Sequence, residues 1–426
     1  MASFFIPLTG LESDSTALNT IANDLSNMST TAFKAQTTNF SDLFYQEIGS
    51  TGAGDPIQVG AGVQVASNET SFTQGSISST GTATDVALNG NGFFVVGNGS
   101  SNEYTRAGDF SLNADGNLVT SNGLSVMGYP AVDGVVNTNA PLTAITIPVG
   151  QVEQPQATTT LNMTANLDAS STSSSTAFPA QVTVYDSLGV SHVATVTYTQ
   201  TGTNTWSYSA ALPASDFTSG VSTPVTGTMS FDSSGALTTV TPTGGSATTV
   251  GTATGDISSI PLNFTGLADG AADLKMSWNL MGTSGTPSIS QVDTASAVSA
   301  TTQDGYASGQ YQSFTIGSDG TVTATYSNGQ QQKVGQLALG NVDNVQGLQL
   351  LGDGDYATTL ASGTASIGAS GSAGRGTLQD GALEESNVNI SAEFSDLIIA
   401  QRAFEASSKA VTTFDTVTQE TINMIH

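Results

Sequence analysis

The chain closes on "SAEFSDLIIAQRAFEASSKAVTTFDTVTQETINMIH", the clearest helical pattern in the sequence, with neither Gly nor Pro from 391 to 426. Leu397, Phe404 and Val411 stand seven apart, and Phe414, Thr418, Ile422 and Ile425 continue the stripe with a slight drift. That spacing keeps the apolar side chains on one helical face. Chain ends ordinarily fray in water, so a terminal helix ending on apolar side chains calls for something to cover it. A matching stripe stands at the other end. Within 8–28, Leu11, Leu18 and Leu25 are seven apart, and Ile21 and Met28 sit three after the second and third of these.

The middle of the chain reads as β-structure. Residues 31–70 show no sustained period, and "GSTGAGDPIQVGAGVQV" is Gly-rich with Pro56 inside it, so this segment reads as an extended connector. From 71 to 155, "VALNGNGFFVVGNGS" sets an apolar strand between Asn-Gly turns, and "DFSLNADGNLVTSNG" places Phe110, Leu112 and Leu118 about an Asp-Gly turn. The stretch "DASSTSSSTAFPAQ" at 168–181 reads as a linker or a long surface loop. Alternation resumes with Val182, Val184, Val193, Thr195, Val196 and Tyr198, and 156–290 forms a β domain of its own. "FTIGSDGTVTATYSNGQ" within 291–365 repeats the form of the earlier hairpin, and the Gly/Ser-rich 366–390 reads as a second connector.

The order is therefore helix, connector, β, β, β, connector, helix. The economical architecture is nested: multidomain, mainly β, with paired α-helical termini. Residues 1–30 with 391–426 make a terminal helical core, and 31–70 with 366–390 the connector. Residues 71–155 with 291–365 make an inner β domain, into which 156–290 is inserted. Two short helices gain little by pairing alone, and half their apolar surface stays wet. Further copies of the chain are the natural cover. An intramolecular helical hairpin closing one globule is the alternative, and the Gly-rich connectors on both sides argue against it.

Composition removes other classes. Seven Lys and Arg against 34 Asp and Glu give a net charge of −27, which opposes binding nucleic acid through its phosphates or docking on anionic membranes. Cysteine is absent, which excludes disulfides and thiolate chemistry. No apolar run reaches bilayer-spanning length. "MASFFIPLTG" lacks a basic n-region and is interrupted by Pro7, so no cleaved signal peptide is expected.

Sites of chemistry are hard to find. "GNGFFVVGNG" has glycines flanking a strand rather than opening a helix, and reads as turn chemistry. "LGDGDY" spaces Asp353 and Asp355 as calcium loops do, but the remaining ligands of such loops are missing. His192 in a strand and His426 at the end give no triad or metal cluster. Trp206 and Trp278 read as core or surface anchors. No catalytic residue, metal ligand or cofactor is expected.

Beyond these readings, "LSNMSTTAFKAQTTNFSDL" and "GALEESNVNISAEFSDLIIAQRAFEASSKAVTTFDTVTQETINMI" resemble the N- and C-terminal signatures of the flagellar rod and hook axial protein family. "NGNGFFVV" and "YTRAGDFSLNADGNLVTSNGLSVMGY" resemble its shared β domain, and "VTVYDSLGVSHVATVTYTQ" is similar to the outer domain of hook proteins. The resemblance implies a bacterial flagellar hook subunit: terminal helices in the wall of an inner tube, β domains stacked outward, and a curved flexible polymer that carries motor torque to the filament. It implies as partners copies of the chain itself, the distal rod protein, the hook cap, hook–filament junction proteins and the flagellar export apparatus, with export without a cleaved signal, no nucleic acid and no membrane insertion. Leu11, Leu18, Ile21, Leu25, Met28, Leu397, Phe404, Val411, Phe414, Ile422 and Ile425 are the expected packing residues. Asn27, Phe33, Lys34, Gln401, Arg402 and Phe404 carry the family motifs. Gly52, Gly54, Gly371 and Gly374 are expected to act as joints. Ala32 stands where the family more commonly has glycine, which points to a turn that need not have positive φ. A distal-rod protein of the same family is the alternative, although rod proteins generally lack an insert like 156–290. A secreted β-rich adhesin is a further one that leaves the paired helical ends unexplained.

Overall fold

The chain opens with α1 (Phe5–Ser26), runs through a long series of strands, and closes with α2 (Ile390–Met424). The computed structural model describes residues 5–50, 56–97, 101–171, 177–282 and 285–424. Gly52, Gly54, Ile425 and His426 lie outside the described residues. The chain divides into two compact units: Met1–Val149 with Ser313–Thr325 and Gln331–His426, and Gly150–Gln312 with Tyr326–Gln330.

The first unit is organised around strand Phe93–Gly97. All its residues are buried, as expected of a continuous apolar run with both faces covered. It pairs antiparallel with Asn102–Thr105 on one side and with Ser125–Val132 and Gln331–Asn341 on the other. Phe93, Val95, Tyr104, Met127, Tyr129 and Tyr356 fill one face of this sheet. The hairpin expected at "NADG" is present: Asn113 Oδ1 accepts the N–H groups of Asp115 and Asn117, and Leu112 pairs with Leu118.

The second unit has two sheets. One is an antiparallel meander of Phe178–Tyr185, Ser191–Gly202, Thr205–Ala211, Val225–Phe231, Leu237–Pro242 and Thr248–Thr249. The other contains Ser259–Phe264, Leu274–Asn279, Thr160–Asp168, Ile289–Val292 and Ala297–Gln303. Strict alternation of buried and exposed positions along these strands sends one side of each sheet into a shared core. Trp278 from the second sheet lies edge-on to Tyr208 and Tyr198 of the first, with ring centroids 5.8 and 6.2 Å apart. Trp206 is anchored by its indole N–H, which donates to Gln291 Oε1 at 3.0 Å. Both tryptophans are core residues.

Three expectations about boundaries need correction. Residues 291–312 fall with the second unit rather than with the inner β domain, because Ala297–Gln303 runs antiparallel to Thr160–Asp168. Residues 31–70 are not a bare connector: Gln36–Asp42 pairs with Val63–Thr70 and Gln46–Ser50 with Pro56–Val59, making a two-stranded ribbon. Most of 366–390 is woven into the first unit. Ser366–Ala369 pairs with 338–341, Thr377–Asp380 with Val86–Asn89, and Ala382–Glu384 with Ile77–Ser79. Small residues are needed there because a large cation is packed against them. A Cβ on Gly368 would stand 2.7 Å from the Arg375 guanidinium carbon, and that guanidinium donates to the carbonyls of Leu339 and Ser366.

Candidate assembly surface

α1 begins with Pro7 in its first turn, where a missing N–H costs little, and α2 begins with a side-chain cap. Asn389 Oδ1 accepts the N–H groups of Ser391 and Ala392 at 3.1 and 3.2 Å, which satisfies donors that the first turn leaves open. The two helices pack side by side and antiparallel: Gly10 lies against Ser407, and further along the pair Ala17 and Ile21 line one hollow together with Ala400 and Ala403. The contact is close and uses small residues. A Cβ on Gly10 would be 3.2 Å from Ser407 Oγ, and Ser407 Oγ donates to Asp14 Oδ2 at 3.0 Å.

This pairing covers the predicted stripes only partly. Leu11, Leu18, Ile21, Leu25, Leu397, Phe404, Val411 and Phe414 are half-buried, and no side chain of α2 is fully buried. Met28 lies beyond the end of α1 and is 47% exposed, and Ile422 is 53% exposed. Gln401 and Arg402 face solvent. A second set of apolar residues was missed by the sevenfold spacing: Ile390, Phe394 and Ile398, four apart, with Ile399, are all exposed. Their signal was present as an i, i+4 row beside the chosen stripe. On the α1 side, Phe5, Ile6 and Leu8 are exposed as well, and the ribbon exposes Phe40, Phe44 and Tyr45. Two hollows open along this surface. One of about 580 Å³ lies between Pro7, Gly10, Val63, Ala406, Ala410 and Phe414. Another of about 340 Å³ lies between Ala17, Ile21, Phe40, Glu393, Ile399 and Ala403.

The helices are tied to the rest of the first unit through the two terminal motifs. Lys34 Nζ sits 2.5 Å from Glu384 Oε1 and also donates to the Thr73 carbonyl at 3.0 Å, with no side-chain exposure on either partner of the ion pair. Arg106 approaches the other oxygen of Glu384 at 3.3 Å, donates to the Gly90 carbonyl at 2.7 Å, and lies 5.6 Å over the Phe93 ring. Burial holds both cations below their ordinary pKa values, and Glu384 opposes that shift without cancelling it. Asn387 joins in: its Oδ1 accepts the Ala35 N–H, its Nδ2 donates to the carbonyls of Ser71 and Thr73, and its own N–H donates to the Phe33 carbonyl. Asn27 closes the end of α1 by donating from Nδ2 to the Asn23 carbonyl. Lys34 and Phe33 are therefore parts of an internal lock.

Ala32 has φ +54°, so the turn takes the positive φ that alanine at this position was not expected to require. Its N–H donates to the Glu384 carbonyl at 2.8 Å, so the same lock holds the residue in a conformation that costs a non-glycine residue roughly 1–2 kcal/mol. Ala32→Gly is expected to stabilise the first unit by about 0.5–1 kcal/mol, after the added freedom of the unfolded chain is subtracted. Urea denaturation of the monomer checks it.

Gly371 and Gly374 do not form a loose joint. They lie in the turn between Ser366–Ala369 and Thr377–Asp380 with φ +71° and +78°, and Gly371 N–H donates to the Gly376 carbonyl at 2.8 Å. Proline, fixed near φ −65°, cannot take either position without opening the turn.

At the base of the helix pair, Asp24 Oδ2 accepts the Gln36 N–H at 2.8 Å while Oδ1 is buried without a partner. Burial raises the Asp24 carboxyl above its ordinary range, the Gln36 bond opposing. Burial, with repulsion from Asp24 and Asp396, raises Glu393 as well. A carboxyl whose folded value is raised contributes stability below its unfolded value and loses it as pH rises through the folded one. Asp24→Asn is therefore expected to raise stability at pH 7 by up to about 1 kcal/mol, and the difference from the parent should vanish below about pH 4. Urea titrations at the two pH values check both.

Asp353 occupies the tip of a tight turn at φ +53°, and Asp355 Oδ2 accepts from Asn122 Nδ2 at 2.6 Å, which is turn and sheet chemistry. His192, which looked isolated in the sequence, is set among Asp186, Asp216 and Asp269 in the second unit.

Three family models match the chain: the flagellar hook protein FlgE/F/G D1 domain over 87–166, the flagellar basal body protein FlaE D2 domain over 154–306, and the flagellar basal body rod FlgEFG protein C-terminal domain over 379–424. The flagellar hook protein FlgE of Treponema pallidum is 33% identical, with the alignment covering 100% of this chain and 99% of that protein. The hook protein of Salmonella typhimurium is 34% identical over 99% of this chain and 100% of its own length. The crystal structure of the Helicobacter pylori flagellar hook protein FlgE2 superposes with a TM-score of 0.52 at 16% identity, covering 71% of this chain and 99% of that one. That last likeness concerns the fold.

Proposed function

The chain belongs to the flagellar hook protein family, as a structural subunit of the bacterial flagellar hook, and from that premise we propose that its terminal helix pair is the polymerisation surface. The observation that carries this reading is the pair itself. Its two helices contain some of the largest exposed apolar side chains of the protein, including Phe5, Phe394, Ile398, Ile399 and Val417, although each helix already has a partner. Burying one such side chain is worth roughly 1.5–3 kcal/mol, so several per subunit outweigh the entropy of ordering the pair when copies meet. The two hollows along the pair receive side chains from neighbouring copies. Arg402 and Lys409, two of only seven cations in the chain, lie exposed on α2 and set register against the acidic surface of the next subunit. Such pairs steer association more than they tighten it.

On this reading the residues named from the sequence stripe, from Leu11 to Phe414, hold the intramolecular pair together, and Ile390, Phe394, Ile398 and Ile399 meet the neighbours. The β units face outward and slide while the helices stay packed, which lets the tube bend as it turns. No catalysis is involved. The distal rod, the hook cap, the hook–filament junction proteins and the flagellar export apparatus are the further partners, and export proceeds without a cleaved signal. Negative-stain images of purified protein over a concentration series test the central part. Curved tubes above a critical concentration are expected, and monomers persisting at every concentration would contradict it.

A further inference from the structure

The second unit contains a cluster of metal-ligating side chains that the assembly account does not use. His192, on strand Ser191–Gly202, is only 5% exposed. Its Nδ1 lies 2.9 Å from Asp216 Oδ2, and its Nε2 lies 3.2 Å from Asp186 Oδ2 and 3.7 Å from Asp269 Oδ2. The three ligand atoms on the Nε2 side all lie within 4.8 Å of one another. They come from separate pieces of chain: Asp186 from the turn after Phe178–Tyr185, and Asp269 from the loop between Ser259–Phe264 and Leu274–Asn279.

Several features are those of a built metal centre. Ligands about 2.0–2.1 Å from a tetrahedral ion stand about 3.3 Å from each other, and the two Nε2 distances bracket that figure. Asp186 is fully buried, and its Oδ1 is held by the N–H groups of Leu188 and Val190 at 2.8 and 2.9 Å, which fixes the direction of Oδ2. Asp216 would keep its hydrogen bond to Nδ1 when Nε2, which faces Asp186 and Asp269, gives up its proton to a cation, the usual carboxylate support behind a metal-bound histidine. The charge balance agrees. Among the described residues, the ion pairs of these three carboxylates are all to His192, so even a protonated imidazole leaves two negative charges uncompensated. A dication with neutral His192 leaves one. Asp269, the exposed member, opens the fourth position to solvent.

We propose that Asp186, His192 and Asp269 bind a divalent transition-metal ion of the zinc type, with Asp216 orienting the histidine. Imidazole with so few oxygen donors disfavours calcium and magnesium, which take six or more oxygen ligands. The ion clips the 186–192 turn to the 269 loop, and so acts on the stiffness of the second unit.

The test titrates zinc sulfate into chelator-treated full-length chain by calorimetry, with melting of the second unit followed by the fluorescence of Trp206 and Trp278. One ion per chain is expected, with a higher melting temperature. Asp269→Asn, which changes an exposed residue and leaves the core intact, is expected to weaken binding at least tenfold, as is His192→Asn. Asp216→Asn is expected to weaken it about 10–100-fold. Magnesium at the same concentration should give neither binding heat nor a melting shift. No saturable zinc binding, binding unchanged in Asp269→Asn and His192→Asn, or equal response to magnesium would each overturn the proposal, the last because it reports only the general acidity of the chain.

Discussion

Glu384→Ala is expected to lower the stability of the first unit by about 3–5 kcal/mol, the largest effect of any single substitution considered. The carboxylate is fully buried and answers two buried cations, Lys34 and Arg106, and it also accepts the Gly75 N–H at 2.9 Å. Removing one member of a buried ion cluster leaves charge in a low-dielectric interior without a partner, which costs far more than the cluster contributes while intact. The damage should be local. Both tryptophans belong to the second unit, so their fluorescence should report an unchanged transition, while far-ultraviolet circular dichroism shows an earlier loss of the rest. A single unshifted transition for Glu384→Ala would show that the lock has no energetic importance.

Ile398→Asp is expected to abolish tube formation while leaving the monomer within about 0.5 kcal/mol of the parent. Ile398 is 52% exposed in the single chain, and substitutions at such positions are usually mild. In the proposed polymer the same position is enclosed by neighbours, where an unpaired carboxylate would cost several kcal/mol at every lattice point. Phe404→Asp should also stop growth, but Phe404 is half-buried against its own chain, so that variant weakens the helix pair too. Comparing the two separates contacts within a subunit from contacts between subunits. Normal tubes from Ile398→Asp, seen by electron microscopy, would remove α2 from the interface.

The helices were the most legible part of the chain, because a 3.6-residue period with apolar side chains survives any context. Strand Phe93–Gly97 and the "NADG" hairpin were legible for similar reasons, a run of large apolar residues and specific turn chemistry. The ribbon at 36–70 was not, since "QTTNFSD" and "VQVASNET" are largely polar and one of their partners is α1 rather than a core. Nor were the strands in 366–384, whose glycines and serines read as a linker. Their smallness serves Arg375, a residue whose role appears only in three dimensions. The motif residue Lys34 was found by resemblance, but its partner Glu384 lies at the other end of the chain. The left-handed Ala32 went against the preference of alanine, because the Glu384 carbonyl fixes its N–H from outside. The cluster around His192 draws on residues from 186 to 269, and no local pattern joins them.

On the proposed function, neighbouring copies complete the burial of the terminal helices. Hydrogen exchange over 390–424, measured in the monomer and again in assembled tubes, tests it most directly. The amides of α2 should exchange quickly in the monomer, where none of its side chains is fully buried, and become strongly protected in the tube, while strands such as Phe93–Gly97 change little. Protection of α2 that is already complete in the monomer and unaltered by assembly would contradict the claim.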